Sequence, residues 1–230
     1  MKEAVTNSLF FGLALSIISF LIGTYIKKRC RFFLFNPLLI AITITISTLV
    51  LLNIEYRSYN NGARFLSYLL TPATVALAIP LYEQLKLLRK NLTAILIGIT
   101  SGVLTSFISI FAMALLFGLN HTQYVTLLPK SITTAIGIGL SQELDGYVAI
   151  TVAAIIMTGL LGNIAGDVIC RLFGIKNPIA KGIAIGTASH VMGTAKAMEV
   201  GKIEGAMSSL SVAVAGCITV AVAIFFKGLI

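Results

Sequence analysis

Five long apolar runs constrain this chain more than any other feature. They fall at about residues 5–26, 34–53, 92–117, 148–170 and 206–227. Each reaches about 20 residues, the length at which a helix rising ~1.5 Å per residue crosses a hydrocarbon core of roughly 30 Å. Inside that core every backbone N–H and C=O must be satisfied by protein, so only helices and closed barrels span it. A barrel strand needs only about 10 residues of alternating polarity, so continuous runs of this length are read as helices. Composition agrees: 57% of residues are hydrophobic, 11% are charged and the mean hydropathy is +0.99. Soluble domains carry about 25% charged residues and could not hide so much apolar surface at this size. A soluble enzyme, a disordered tail and a secreted disulfide scaffold are excluded.

The formal net charge is +9. The cations cluster between apolar runs, as in Lys27-Lys28-Arg29-Cys30-Arg31 and Lys86-Leu87-Leu88-Arg89-Lys90. Such clusters orient loops by the positive-inside bias and attract anionic headgroups, which makes the lipid bilayer the first partner. There is no Trp and no nucleic-acid motif, so no nucleic acid is expected. Cys30, Cys170 and Cys217 form no CxxC pair and have no neighbouring His. They read as small apolar filler, with no metal and no cofactor. The run from Val5 to Ile26 is too long for a signal-peptide core and no small-residue cleavage site follows it, so it reads as a retained first span.

Three further segments are apolar but interrupted: about 65–82 by Pro72 and Pro80, 125–140 by Pro129 and Lys130, and 178–198 by Gly182, Gly186, His190, Gly193 and Lys196. The loops are short and no linker intervenes. The expectation is an all-α polytopic membrane protein forming one domain over 1–230, with seven to eight membrane segments, several interrupted or re-entrant. Four segments are followed by four, and the third of each set is interrupted. An offset of about 115 residues lays Thr71-Pro72-Ala73-Thr74 on Gly186-Thr187-Ala188-Ser189, which predicts an internal repeat of 1–117 and 118–230. Broken helices at corresponding places in repeats point to a transporter's binding site. The course of 125–140 stays open. A re-entrant course puts Arg171, Lys176 and Lys181 on the side of the other basic loops, whereas its repeat partner 5–26 reads as a full span.

The candidate site residues come from the interrupted segments. Pro129 lacks an N–H and breaks its helix, and the hydroxyls of Ser131, Thr133 and Thr134 can satisfy the freed backbone. Lys130 costs about 2.5–3.5 kcal/mol at membrane depth unless paired or hydrated. It reads as a cation for an anionic substrate or as a side chain snorkelling to the interface. In 186–196, Thr187, His190 and Thr194 would share one helix face, with Ser189 beside them and with Gly186 and Gly193 allowing close approach. His190 reads as a proton carrier or as a neutral ring bonded between helices. Thr71 and Thr74, on either side of Pro72, read as an unwound stretch that can present backbone groups to an ion or carboxylate or as part of an ordinary kinked span. Lys196 marks an interface.

These segments together resemble the LrgB family of antiholin-like membrane proteins, which includes CidB and the plastid glycolate/glycerate translocator. The resemblance is carried by Asn36-Pro37-Leu38-Leu39, by Pro72 to Tyr82, by Leu128 to Thr134, by Gly186 to His190 with Gly193-Thr194-Ala195, and by Glu204 to Leu210. Thr71 stands where the family usually has Gly, and Ala135 where it usually has Pro. The resemblance implies a multi-pass protein of the bacterial inner (plasma) membrane, a smaller LrgA-like membrane partner and a role in murein hydrolase activity and autolysis. It also implies transport of small carboxylates such as pyruvate, glycolate or glycerate. It supplies no settled residue list.

Two functions are therefore expected. One is a carrier of small monocarboxylates coupled to a proton or another ion. The other is a holin- or antiholin-like module acting with an LrgA-like partner, or as a homo-oligomer, without transport of its own. No Ser-His-Asp set, HExxH, Walker loop or GxGxxG is present, so an enzyme is not expected.

Overall fold

The computed structural model describes residues 8, 10–30, 35–76 and 78–230, without the side chains of Leu70, Thr71 and Thr74. Arg31 of the first basic cluster, and residues 5–7 and 9 of the first apolar run, lie outside the described residues. The described chain is helical throughout, and contacts divide it into two compact units, Met1–Ala76 and Leu77–Ile230.

The first unit holds α1 (Phe11–Arg29), α2 (Pro37–Leu51), α3 (Tyr56–Tyr68) and α4 (Leu70–Ala76). Asn36 caps α2, its side chain accepting from the backbone N–H groups of Leu38 and Leu39, and Pro37 takes the first helical position, where its missing N–H costs nothing. α1 and α2 pack antiparallel, with Thr45 Oγ1 donating to Ser19 Oγ at 3.4 Å. α3, absent from the sequence reading, is amphipathic. It packs on α1 through Tyr59, whose hydroxyl lies 2.8 Å from Ser16 Oγ.

The second unit runs from α5 (Ala78–Glu83) and α6 (Leu85–Phe117) to α7 (His121–Leu127), a 3₁₀ turn (Leu128–Ser131) and α8 (Thr134–Glu143). It ends in α9 (Val148–Leu172), α10 (Pro178–Val200) and α11 (Lys202–Phe226). Pro72 and Pro80 explain the fragmentation between α3 and α6. Each is the third residue of its short helix, among the first four N–H groups that have no acceptor in the helix anyway. Among the described residues, four helices are long and apolar enough to cross a membrane, Phe11–Arg29, Leu85–Phe117, Val148–Leu172 and Lys202–Leu229, while Pro37–Leu51 is shorter.

The core of the second unit lies on one face of α6. Ile95, Ile99, Val103, Phe107, Ile110 and Ala114 recur every three or four residues and are buried. Phe107 meets Phe226 edge to face, centroids 5.0 Å apart, and Tyr124 donates its hydroxyl to the Phe226 carbonyl at 3.1 Å. α10 and α11 pack most closely: a Cβ on Gly186 would lie 2.5 Å from the Ser208 carbonyl oxygen, so this contact needs glycine.

Residues 121–143 fold back on themselves as a hairpin instead of running on as one helix. Thr126 before the turn is level with Ser141 after it. Thr151 at the start of α9 joins them, its Oγ1 donating to the Thr126 carbonyl at 2.8 Å and lying 2.7 Å from Ser141 Oγ. Deeper in the hairpin, a Cβ on Gly137 would lie 3.6 Å from Pro129 Cβ. The tip is Pro129 to Thr133, with Ile132 and Thr133 extended.

Candidate functional site

A cavity of about 690 Å³ lies within the second unit, walled by α6, the hairpin tip and the first half of α10. Its α6 wall runs from Asn91 to Ser109, which at ~1.5 Å per residue is about 27 Å, close to the thickness of a bilayer core. This wall is the α6 face that flanks the core and shares Ile95 with it: Gly98, Ser101, Gly102, Thr105, Ser106 and Ser109 repeat at helical spacing. Gly98 and Gly102 keep it low, and the hydroxyls make it polar within an otherwise apolar helix. Asn91 and Asn177 line the groove as well, each directly preceded in sequence by a lysine.

The hairpin contributes Lys130 and Ser131, and α10 contributes Thr187. Lys130 is half-buried and makes one hydrogen bond among the described residues, Nζ donating to Ser131 Oγ at 3.1 Å. No carboxylate among the described residues pairs with it. Ser131 Oγ lies 3.4 Å from Ser106 Oγ, which links the hairpin to α6. Thr187 is 6% exposed, and its hydroxyl is buried with no hydrogen-bond partner among the described residues. Buried hydroxyls are ordinarily paired, so this oxygen is an exception that calls for a reason.

The other residues read from the sequence lie elsewhere. Thr133 and Thr134 join the tip to α8 and do not line the groove. α10 breaks at Ser189 (φ −134°, ψ 15°) and His190 (φ 44°, ψ −143°), between Gly186 and Gly193, both of which keep helical backbone. The break alters the helical phase, so Thr187, His190 and Thr194 meet three different helices. Thr187 faces Gly102 of α6. His190, 4% exposed, lies with Nε2 3.0 Å from the Ile155 carbonyl of α9 and, against a carbonyl acceptor, must donate. Thr194 Oγ1 donates to the His190 carbonyl at 3.0 Å and lies 2.8 Å from Ser208 Oγ of α11. Asn163 Nδ2 donates to the Met192 carbonyl at 2.6 Å. A positive φ on a non-glycine residue costs on the order of 1–3 kcal/mol and persists only where the surroundings enforce it. These bonds to α9 and α11 enforce it here. Thr71 and Thr74 lie within α4 on helical backbone, not on the expected unwound stretch, because Pro72 falls early enough in the helix to be accommodated; their side chains lie outside the described residues.

The charges near the end of α9 are paired. Asp167, 7% exposed, bonds Arg171 at 2.7 Å and Lys181 of α10 at 3.0 Å. The i, i+4 spacing identifies Arg171 in the sequence, but Lys181 needs the fold. Lys196 pairs with Glu199 at 2.9 Å.

The α6 wall was not singled out in the sequence. Its signal is the small and hydroxyl residues between Gly98 and Ser109, which mean hydropathy averages away.

The LrgB-like family model matches residues 16–229. An antiholin-like protein LrgB of Bacillus cereus (strain B4264) is 40% identical over 220 residues, covering 95% of this chain and 96% of the relative. The antiholin-like protein LrgB of Bacillus anthracis (strain CDC 684 / NRRL 3495) matches with the same identity and coverage. No solved structure matches. The interrupted segments and the end-to-end similarity lead to one assignment: this helical membrane protein belongs to the LrgB family.

Proposed function

We propose that this chain carries small monocarboxylates of the pyruvate, glycolate or glycerate kind across the bacterial plasma membrane. Its link to autolysis, which its relatives' antiholin-like names suggest, then follows from that flux and from an LrgA-like partner. The supporting observation is Lys130, a half-buried cation in the wall of a groove with no carboxylate partner among the described residues. An intramembrane cation is costly and marks an anion path when nothing in the protein neutralises it. A monocarboxylate supplies the missing charge, and the groove's hydroxyls meet the remaining polar atoms. A proton or another ion that accompanies the acid keeps the overall charge movement small. The reading is of a carrier, not of an enzyme.

The test is uptake of radiolabelled pyruvate, glycolate and glycerate into proteoliposomes under an imposed pH gradient, with and without the partner. Uptake of at least one acid, saturable and absent from empty liposomes, is expected. No uptake of any small acid with the partner present rejects the carrier. The alternative, an antiholin-like module without transport, predicts that deleting the gene alters autolysis and leaves extracellular pyruvate unchanged.

A further inference from the structure

The hydroxyl protons along the groove are not equivalent. On α6, Ser101 donates to the Gly98 carbonyl at 2.9 Å, Thr105 to the Ser101 carbonyl at 2.7 Å and Ser109 to the Ser106 carbonyl at 2.8 Å. Those protons are spent on the helix's own backbone. What the three oxygens offer outward is lone pairs, which accept from water and do not bind a carboxylate.

Ser106 differs. Among the described residues its hydroxyl meets only Ser131 Oγ, at 3.4 Å, and Ser131 Oγ accepts from Lys130 Nζ at 3.1 Å. An ammonium carries three N–H donors and each serine one O–H. One N–H is used on Ser131, and one O–H joins the two serines. Whichever serine donates, the other O–H remains unspent, beside two N–H groups of Lys130. The serine pair is also long, since O–H···O bonds ordinarily lie at about 2.5–3.0 Å. Either proton can therefore turn to a better acceptor at small cost.

We infer that Ser106 is a ligand-binding residue. With Ser131 and Lys130 it forms a two-point site for one carboxylate, one oxygen on the ammonium and the other on a serine hydroxyl. This rests on the carrier reading and deepens it. Charge-assisted bonds of this kind are short and strong, and two separated points select a planar carboxylate over a spherical halide. The site is assembled from two elements, α6 and the hairpin tip, so an anion bound there ties them together.

The alternative role for Ser106 is packing between those elements, and ligand protection of Lys130 separates the two. The full-length protein in nanodiscs is treated with an amine-acylating reagent, and modification of Lys130 is followed by peptide mass spectrometry while pyruvate is titrated. In the wild type, pyruvate slows the modification, and chloride at equal ionic strength does not. In Ser106→Ala the pyruvate concentration for half protection rises about tenfold, the expected loss for one hydrogen bond to a charged group. Ser106→Thr, which keeps the hydroxyl, recovers most of that loss. An unchanged half-protection value in Ser106→Ala, or equal losses in Ser106→Ala and Ser106→Thr, overturns the assignment and leaves the carrier reading standing. A wild type that pyruvate, glycolate and acetate all fail to protect, in nanodiscs that also hold the LrgA-like partner, overturns both.

Discussion

Two of the breaks in the helical backbone of the second unit, at the hairpin tip and at Ser189–His190, are built to opposite ends. At the hairpin tip, Lys130 and Ser131 line a groove, and the polar groups there keep donors in reserve: two N–H groups on Lys130 and one serine O–H. At Ser189–His190 there is no such reserve on the ring N–H or on Thr194. His190 is committed to Ile155, Thr194 to His190 and Ser208, and Asn163 to Met192. A broken helix in a membrane protein must satisfy the backbone that it frees, and the second break shows this done with protein groups alone. The break itself therefore does not mark a binding site. Open space beside unspent donors does.

This contrast can be broken by mutation, and the largest effect belongs to Lys130. Lys130→Ala is expected to lower the initial rate of acid uptake about 100-fold, in line with loss of a charge-assisted contact. Its melting temperature should not fall, because a cation that costs stability at membrane depth has been removed. A retained rate would mean that Lys130 only snorkels. Next in size is Gly162→Ala on α9, whose Cβ would fall on the Ser189 side chain. Overpacking there should cost about 3 kcal/mol, read as a drop in melting temperature. Gly98→Ala in the groove wall, with Ile183 Cγ2 at an ordinary 3.5 Å, should stay within about 0.5 kcal/mol of wild type by the same measurement. Equal losses would show that the α9 crossing is no tighter than the groove.

His190→Asn shortens a buried side chain and removes its bond to Ile155. It is expected to cost about 2 kcal/mol in chemical unfolding, with uptake per folded molecule within about twofold of wild type. A pH profile of uptake that collapses in this variant would instead make His190 a proton carrier. A smaller loss than that of His190→Asn belongs to Thr194→Val, which keeps the shape and removes the bonds to the His190 carbonyl and Ser208. About 1 kcal/mol is expected in the same unfolding assay.

Much of the fold was legible because hydrophobic length is a blunt and reliable signal. The runs 92–117, 148–170 and 206–227 became α6, α9 and α11, and Pro72, Pro80, Pro129 and the 178–198 segment all mark real interruptions. What stayed hidden depended on tertiary geometry. The return of 125–140 as a hairpin is fixed by Thr126 meeting Ser141 and Thr151, a contact with no local signature. The exclusion of His190 and Thr194 from the groove follows from a change of helical phase that a continuous-helix projection cannot contain. The α6 wall was overlooked for the opposite reason. Its four hydroxyls are scattered among apolar residues, and three of them, on Ser101, Thr105 and Ser109, spend their protons on their own helix, so they raise the polarity of the run too little to interrupt it.

The most direct test is a structure of the full-length protein with pyruvate bound, at a resolution that shows the ligand's carboxylate. The account predicts the carboxylate within about 3 Å of Lys130 Nζ, between α6 and the hairpin tip, with the Ser106 hydroxyl on its second oxygen. A ligand seated instead at the Ser189–His190 break, with the groove beside Lys130 holding none, would contradict it.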